Sequence, residues 1–122
     1  MIVVTGSESF VGRELISQLI DKHDIVGFDL IDKPSNNYSF HQVDIRSSKI
    51  EELIPDNTDT IVHLAALSTN PDCRGKSYDC FDINVMGTLN LIRAAIKKNV
   101  KQFIFASSEW VYNEFKEGEI KN

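Results

Sequence analysis

Apolar residues along this chain fall into short, uninterrupted runs, separated by segments in which they recur every three or four positions. The short runs are rich in β-branched residues and end at glycine or polar residues, as do strands buried on both faces of a parallel sheet. We predict such strands at residues 2–5, 25–30, 40–43, 60–66 and 102–106.

The segments between these runs predict helices. From Phe10 the apolar residues keep helical spacing as far as Ile20, and residues 47–54 can form a short helix. A polar loop at residues 68–77 precedes a longer helical pattern at residues 81–96. Strands that alternate with helices indicate βαβ units, and therefore an α/β fold with a doubly wound parallel sheet and helices on both faces.

Composition and charge narrow the class of protein. With 122 residues, 42% of them hydrophobic and 25% charged, the chain has the material for one globular domain with a packed core. Its net charge of −5 and its scattered basic residues argue against a nucleic-acid partner. No apolar run approaches the ~20 residues of a membrane span, so we expect no membrane partner and a cytoplasmic location.

Two small groups of residues are expected to be structural. Cys73 and Cys80 lack the number and spacing of a disulfide framework, so we expect reduced, buried thiols. No group of cysteines and histidines has metal-ligand spacing, and no metal site is predicted. Lys97, Lys98 and Lys101 lie at the end of a predicted helix, which favours a dipole-stabilised helix terminus over an anion site.

The segment from Thr5 to Gly12, the phosphate turn, has the sequence TGSESFVG and carries the clearest chemistry. Gly6 would let the chain turn sharply after the first strand, and Gly12 would let the following helix pack closely on the sheet. The helix N-terminus then offers unpaired N–H groups and a partial positive charge to a pyrophosphate. The predicted cofactor contacts in this turn are Gly6, Ser9, Phe10, Val11 and Gly12.

Asp29 supports this interpretation, because it lies 23 positions beyond Gly6 at the end of the predicted second strand. A carboxylate there accepts hydrogen bonds from the adenosine ribose and repels the 2′-phosphate of NADP. NAD is therefore the predicted cofactor, and nearby Lys33 keeps NADP as the less favoured alternative. Together these features predict a Rossmann fold with strand order 3-2-1-4-5 and a cofactor across the carboxyl ends of the strands.

These motifs resemble those of the extended short-chain dehydrogenase/reductase family, in particular its NAD-dependent sugar-nucleotide epimerase and dehydratase group. Later segments agree with the resemblance over essentially the whole chain, at residues 44–45 (DI), 63–66 (HLAA), 84–88 (NVMGT) and 105–112 (FASSEWVY). The resemblance implies that Asp44 and Ile45 lie beside the adenine. It also implies a cofactor wall formed by Leu64, Ala65 and Ala66, whose small alanines would admit the dinucleotide.

The resemblance further assigns two residues near the reacting sugar. Asn84 would fix water and backbone groups close to the active site, and Ser108 would hydrogen-bond the reacting hydroxyl. Other roles stay open: Asp44 as a loop cap, Asn84 as an exposed helix residue and Ser108 as a turn cap. His63 lies within an apolar run, where we expect a hydrogen-bonded core histidine rather than a catalytic one.

The chain departs from the family pattern at Ser9, which replaces the middle glycine of the phosphate turn. Its Cβ would hinder the close approach of the backbone to a pyrophosphate, whereas its hydroxyl could cap the following helix. We therefore expect the substitution Ser9→Gly to tighten NAD binding.

The acid–base pair of the family, Tyr-x-x-x-Lys, is missing from its expected position. Tyr112 and Lys116 have the right spacing, but the resemblance places Tyr112 in a motif directly after the fifth strand. A tyrosine needs a nearby lysine charge to act as a base at neutral pH. We therefore expect residues 1–122 to be an NAD(P)-binding domain, truncated before the catalytic helix and the substrate domain, and inactive alone.

These features predict the NAD-binding portion of a sugar-nucleotide epimerase, similar to UDP-glucose 4-epimerases and acting by transient hydride transfer to NAD. The intact protein would bind a nucleotide-sugar substrate and could form a homodimer. Dehydration is disfavoured, because Glu109 is followed by Trp110 rather than by a second acid. The alternatives are an NAD(P)-dependent reductase or dehydratase of the same family, and a non-catalytic NAD-binding or redox-sensing domain.

Overall fold

The computed structural model describes residues 1–68 and 73–108. The strands are β1 (Ile2–Thr5), β2 (Ile25–Asp29), β3 (Ser39–Gln42), β4 (Thr60–His63) and β5 (Gln102–Phe105). The helices are α1 (Phe10–Leu19), α2 (Ile50–Leu53), α3 (Ser77–Phe81) and α4 (Thr88–Lys97), and the π-helical turn Asp82–Gly87 joins α3 to α4. Within these described ranges, no helix is long and apolar enough to cross a membrane.

The strands form one parallel sheet in the order β3-β2-β1-β4-β5. β1 lies at its centre, where Ile2 is paired with Ile25 of β2 and with Thr60 of β4. The chain builds outward from β1 to β3 and then returns to the other side of β1. The predicted Rossmann order is therefore confirmed, and its switch point lies between β1 and β4, where such folds bind ligands.

Alternate residues of the central strands are buried on opposite faces of the sheet. Val3 and Phe28 are completely buried on one face, in a cluster that includes Leu91 of α4. Val4 is completely buried on the other face, together with Ile16 of α1. Helices therefore cover both faces, as predicted.

Most element bounds differ from the prediction by one to four residues, and two of the differences bear on the site. β4 stops at His63 rather than at residue 66. The N–H of Leu64 still donates to Thr5 O at 3.1 Å and is shared with Thr5 Oγ1 at 3.2 Å, whereas the N–H of Ala65 turns to the side chain of Thr5. The predicted long helix is divided by its π-helical turn, a wider form of backbone that is common at functional sites. Both differences concern the carboxyl edge of the sheet, where the candidate site lies.

Cys73 and Cys80 form a disulfide, which corrects the prediction of reduced thiols. Their Cα atoms are 5.6 Å apart, because the backbone turns back at Gly75, which has a φ of 72°, before α3 begins. The two cysteines are seven positions apart, and the chain between them contains this bend and about one helical turn. A single pair at this spacing does not match a known disulfide framework, so the sequence did not indicate the bond. The disulfide therefore fastens the segment that leads into the π-helical turn.

The basic group at the end of α4 is paired with acids. The ion pairs are Lys97 with Glu51 (3.1 Å), Lys98 with Asp56 (2.8 Å) and Lys101 with Asp59 (3.6 Å). These contacts agree with a structural helix terminus, and exposed pairs of this kind contribute little to stability.

Candidate cofactor site

The phosphate turn folds back tightly at Gly6, directly after β1. Gly6 has a φ of 66°, and its N–H donates to Phe28 O of β2 at 2.8 Å. A Cβ at this position would lie 2.8 Å from the backbone nitrogen of Ala65, so only glycine fits. Gly12 is similarly constrained, because a Cβ there would collide with the carbonyl oxygen of Gly6. The turn itself therefore requires both glycines.

Ser9 caps α1, which is one of the two roles that the sequence left open for it. Its backbone is extended, with φ −66° and ψ 165°, so serine is accommodated without strain. Ser9 Oγ accepts the N–H of Gly12 at 3.1 Å and donates to Gly6 O at 2.7 Å. No acceptor from the described residues remains for the N–H groups of Phe10 and Val11, so both could donate to a pyrophosphate.

A cavity of about 230 Å³ opens at the carboxyl edge of the sheet. Most of the predicted cofactor residues line it, namely Gly6, Ser9, Asp29, Asp44, Ile45, Leu64, Ala65 and Ala66. Ligand pockets usually measure roughly 300–1,000 Å³, so this cavity fits part of a dinucleotide rather than the whole molecule. The fold thus brings together residues that lie up to 60 positions apart in sequence.

Asp29, at the end of β2, is fixed by two backbone N–H groups. Its Oδ1 accepts from Leu30 at 2.7 Å, and its Oδ2 accepts from Glu8 at 2.9 Å. In the described part of the chain no lysine or arginine forms an ion pair with Asp29. Each carboxylate oxygen retains acceptor capacity for a ribose hydroxyl, so the residue fits the role predicted for it.

Asp44 lines the cavity, but Arg46 holds its carboxylate. The guanidinium donates to Asp44 Oδ2 at 2.7 Å, and the backbone N–H of Arg46 donates to Asp44 Oδ1 at 2.9 Å. These hydrogen bonds lower the pKa of Asp44 below its usual value. Arg46 also pairs with Asp82 at 2.7 Å, and so ties this wall of the cavity to the π-helical turn. The loop-cap role left open for Asp44 is thus present in the structure.

His63 is a buried core residue, as predicted. Thr88 Oγ1 donates to Asn84 O at 2.7 Å, so it must accept its second bond from His63 Nε2–H, also at 2.7 Å. His63 Nδ1 is then an acceptor for the hydroxyl of Thr5 at 2.7 Å. Burial lowers the pKa of His63, which keeps the ring neutral in this network.

Thr5 completes the His63 network at the wall of the cavity. Its Oγ1 accepts the N–H groups of Leu64 and Ala65, both at 3.2 Å. The network therefore runs without interruption from the cofactor wall, through Thr5 and His63, to Thr88 of α4. Each donor in it has an acceptor, so the wall has one preferred conformation.

Asn84 is a half-buried amide of the π-helical turn, not an exposed helix residue. Its Oδ1 accepts the N–H of Leu67 at 2.9 Å, and its Nδ2 donates to Leu67 O at 3.0 Å. A second cavity of about 150 Å³ lies between Asn84, Ala66 and Thr88. Asn84 therefore fixes the backbone that leaves β4 and also faces open space beside it.

Ser108 is exposed and lies three residues beyond the end of β5. Glu109, Trp110, Tyr112 and Lys116 lie outside the described residues, so the predictions that concern them remain predictions.

Glu8, Arg46 and Leu67 lie at the cavity or beside it, although no role was predicted for them. Glu8 lies within the phosphate turn, and a negative charge in a turn that binds anions could have indicated a functional residue. Arg46 contacts Asp82, which is distant in sequence, and Leu67 contacts Asn84 through its backbone atoms. The residue types at these two positions therefore did not indicate a role at the site.

The sheet order and the glycine turn define a dinucleotide-binding domain of the Rossmann class. A family model described as "NAD dependent epimerase/dehydratase family" matches residues 2–122. The chain therefore belongs to the NAD-dependent epimerase/dehydratase family.

Similar proteins include several epimerases. The UDP-glucose 4-epimerase of Vibrio cholerae is 35% identical over 118 residues, covering 93% of this chain and 36% of that protein. A UDP-N-acetylglucosamine 4-epimerase from Methanobrevibacter ruminantium, solved with UDP-N-acetylmuramic acid, is 27% identical, with a TM-score of 0.86 over 98% of this chain and 41% of its own.

A short-chain dehydrogenase/reductase superfamily protein from Agrobacterium tumefaciens, solved with bound NAD, is also similar. It is 31% identical, with a TM-score of 0.80 over 93% of this chain and 34% of its own. Across these proteins, the chain spans between 34% and 41% of the relative's length.

Proposed function

We propose that this chain binds NAD in the cavity at the carboxyl edge of the sheet and is the NAD-binding portion of a nucleotide-sugar epimerase. The observation that carries the proposal is that Gly6 and Asp29 line one cavity beside the N-terminus of α1, where two N–H groups have no acceptor among the described residues. The names of the similar proteins, which include nucleotide-sugar epimerases and a protein solved with NAD, support the assignment.

The residues of the phosphate turn would hold the pyrophosphate. Gly6 and Gly12 keep the turn compact, Ser9 caps the helix, and the N–H groups of Phe10 and Val11 donate to the phosphate oxygens. The positive end of α1 favours the negative charge placed there.

The remaining predicted contacts would bind the other parts of NAD. Asp29 accepts from the ribose hydroxyls, Asp44 and Ile45 border the adenine, and the segment 64–66 forms the wall of the site. Asn84 would position groups near the reacting sugar, and Ser108 would assist proton removal from its hydroxyl.

NAD, when bound, supplies a reversible acceptor for hydride from the sugar, so that epimerisation needs no net cofactor turnover. The intact protein would thus be an isomerase that uses oxidoreductase chemistry. We further propose that the catalytic Tyr-x-x-x-Lys helix and the substrate domain belong to the remainder of an intact, cytoplasmic protein, which could be a homodimer.

Calorimetric titration of the 122-residue chain with NAD, NADH and NADP tests the binding proposal. We expect NAD to bind more tightly than NADP, and Asp29→Asn to weaken NAD binding about tenfold through loss of charge-assisted hydrogen bonds. Asp21→Asn, an exposed acid just beyond α1, provides the same change of charge and should leave NAD affinity unaltered. Equal effects of the two substitutions would contradict the assigned site.

An assay with NAD and UDP-glucose separates the alternatives. We expect the 122-residue chain to bind NAD without forming the 4-epimer, because it lacks the acid–base pair at the family's position. Net NADH production would favour a reductase. Epimer formation by this chain alone would contradict the proposed division into a binding portion and a separate catalytic portion.

A further inference from the structure

We propose that Glu8, together with Asp29, sets the preference of this site for a dinucleotide without a 2′-phosphate. Glu8 lies in the phosphate turn between Gly6 and Ser9, and it lines the same cavity as both. This inference rests on the proposed NAD site and names a specificity-determining residue within it.

The carboxylate of Glu8 is held by the loop between β2 and β3. Its Oε1 accepts the backbone N–H of Ser35, and its Oε2 accepts the Ser35 hydroxyl at 3.2 Å. Oε2 also accepts the hydroxyl of Tyr38 at 2.7 Å. Because this loop starts from the end of β2, where Asp29 lies, these donors fix the charge beside the ribose end of the cavity.

Tyr38 is a permanent donor in this arrangement. Burial, reinforced by the nearby charge of Glu8, raises the pKa of Tyr38 well above its usual value, so the phenol keeps its proton. That single proton goes to Glu8, and the Ser7 hydroxyl, 3.1 Å away, donates to the phenol oxygen. Among the described residues, the Glu8 carboxylate is thus held by neutral donors and not by a cation.

Glu8 and Asp29 are adjacent and carry like charges. The backbone N–H of Glu8 donates to Asp29 Oδ2 at 2.9 Å, so the backbone that carries the Glu8 side chain is in direct contact with the Asp29 carboxylate. Within residues 1–68 and 73–108, no ion pair involves either acid. Asp44, a third acid of the cavity, is instead paired with Arg46. The negative potential is therefore concentrated at the ribose end.

A 2′-phosphate would bring close to two further negative charges to this end of the cavity. At the intermediate effective dielectric near a protein surface, an additional like charge within several ångströms weakens binding on the order of tenfold or more. Asp29 supplies one such charge and Glu8 supplies another. Glu8 therefore multiplies the discrimination against NADP that Asp29 alone would give.

Titration of the unaltered chain and of Glu8→Gln with NAD and NADP tests the inference, because the two cofactors differ only in the 2′-phosphate. We expect Glu8→Gln to raise NADP affinity about tenfold relative to NAD affinity. Glu14→Gln is the matched control, since Glu14 is an exposed acid on α1 and its loss changes the net charge equally. It should leave the ratio of the two affinities unchanged.

A second measurement needs no substitution. Added salt screens repulsion between charges, so the affinity of the unaltered chain for NADP should rise relative to that for NAD as ionic strength increases. An unchanged ratio in folded Glu8→Gln, with NAD still bound, would overturn the role of Glu8 and leave the proposed function intact. Failure of the unaltered chain to bind NAD at all would instead overturn the proposed function, and this inference with it.

Discussion

Two walls of the candidate cofactor cavity are built in different ways. The phosphate turn is made of backbone and of close neighbours in sequence: Ser9 bonds Gly6 and Gly12, each three positions away. The wall after β4 depends on side chains that meet across the fold, such as Thr5 and His63, which are 58 positions apart.

This difference indicates how each wall should fail. The phosphate turn relies on backbone conformation, so a single added methyl group should disrupt it. The wall after β4 relies on a neutral imidazole and is followed by a segment closed by a disulfide, so proton and redox conditions should loosen it.

The largest effect is expected from Gly6→Ala. The new Cβ would meet Ala65 N at 2.8 Å in a residue with positive φ, which combines overpacking with backbone strain and should cost about 3 kcal/mol of stability. Gly75→Ala is the control, since Gly75 also has positive φ but nothing lies within 4 Å of its Cβ position. It should cost about 1 kcal/mol in urea denaturation. Equal losses would show that crowding against Ala65 does not matter.

Reduction of the disulfide should have the next largest effect. Opening a link between positions seven apart is expected to lower the free energy of unfolding by about 2 kcal/mol. Urea denaturation with and without dithiothreitol measures the change. The double variant Cys73→Ser and Cys80→Ser serves as the control, because its stability should not respond to the reductant. A response of equal size in that variant would rule out the disulfide as the cause.

His63 should make stability depend on pH. Burial lowers the pKa of the folded state, so the unfolded chain binds the proton more readily, and the stabilising contribution is complete above pH ~6.5. As the pH falls below that value, stability should decline by at most about 1.4 kcal/mol per pH unit until the folded pKa is passed. Denaturation of His63→Asn should give a shallower slope over the same range. Identical slopes would contradict a buried, neutral His63.

The smallest effects are expected at Ser9. Ser9→Ala removes the helix cap and should lower the free energy of unfolding by about 1 kcal/mol. Ser9→Gly should lower it by only about a few tenths of a kcal/mol. Calorimetry on Ser9→Gly should also detect tighter NAD binding, because the Cβ beside the pyrophosphate is gone. Equal or weaker NAD affinity would count against steric hindrance by Ser9.

The contrast between the walls also explains what could be predicted from the sequence. Hydrophobic periodicity depends on strand and helix geometry, which is local, and it located the strands to within a few residues. The sheet order followed from the Rossmann pattern that the phosphate turn and Asp29 indicated. The roles of Gly6 and Gly12 followed from a short motif whose geometry is set by its own backbone. The location of Asp29 at the cavity followed from its distance along the chain to that motif.

Features that depend on distant partners could not be derived in this way. The contact of Ala65 with Thr5 after β4 joins distant positions, and the pairing of Cys73 with Cys80 needs the bend at Gly75. Arg46 shows the same limit, because its contact with Asp82 is 36 positions away. Neither residue type nor spacing in the sequence predicts such contacts.

The hydrogen bonds from Leu64 and Ala65 to Thr5 have a consequence for motion. These amides lie outside the strands, where amide protons ordinarily exchange with water through small local openings. Here both amides share one acceptor, the hydroxyl of Thr5, which is itself hydrogen-bonded to buried His63 at the end of β4, so an opening that moves Thr5 would also break that bond. The wall after β4, which borders the proposed cofactor site, is therefore expected to fluctuate on the slow timescale of the core rather than on the fast timescale of a surface loop.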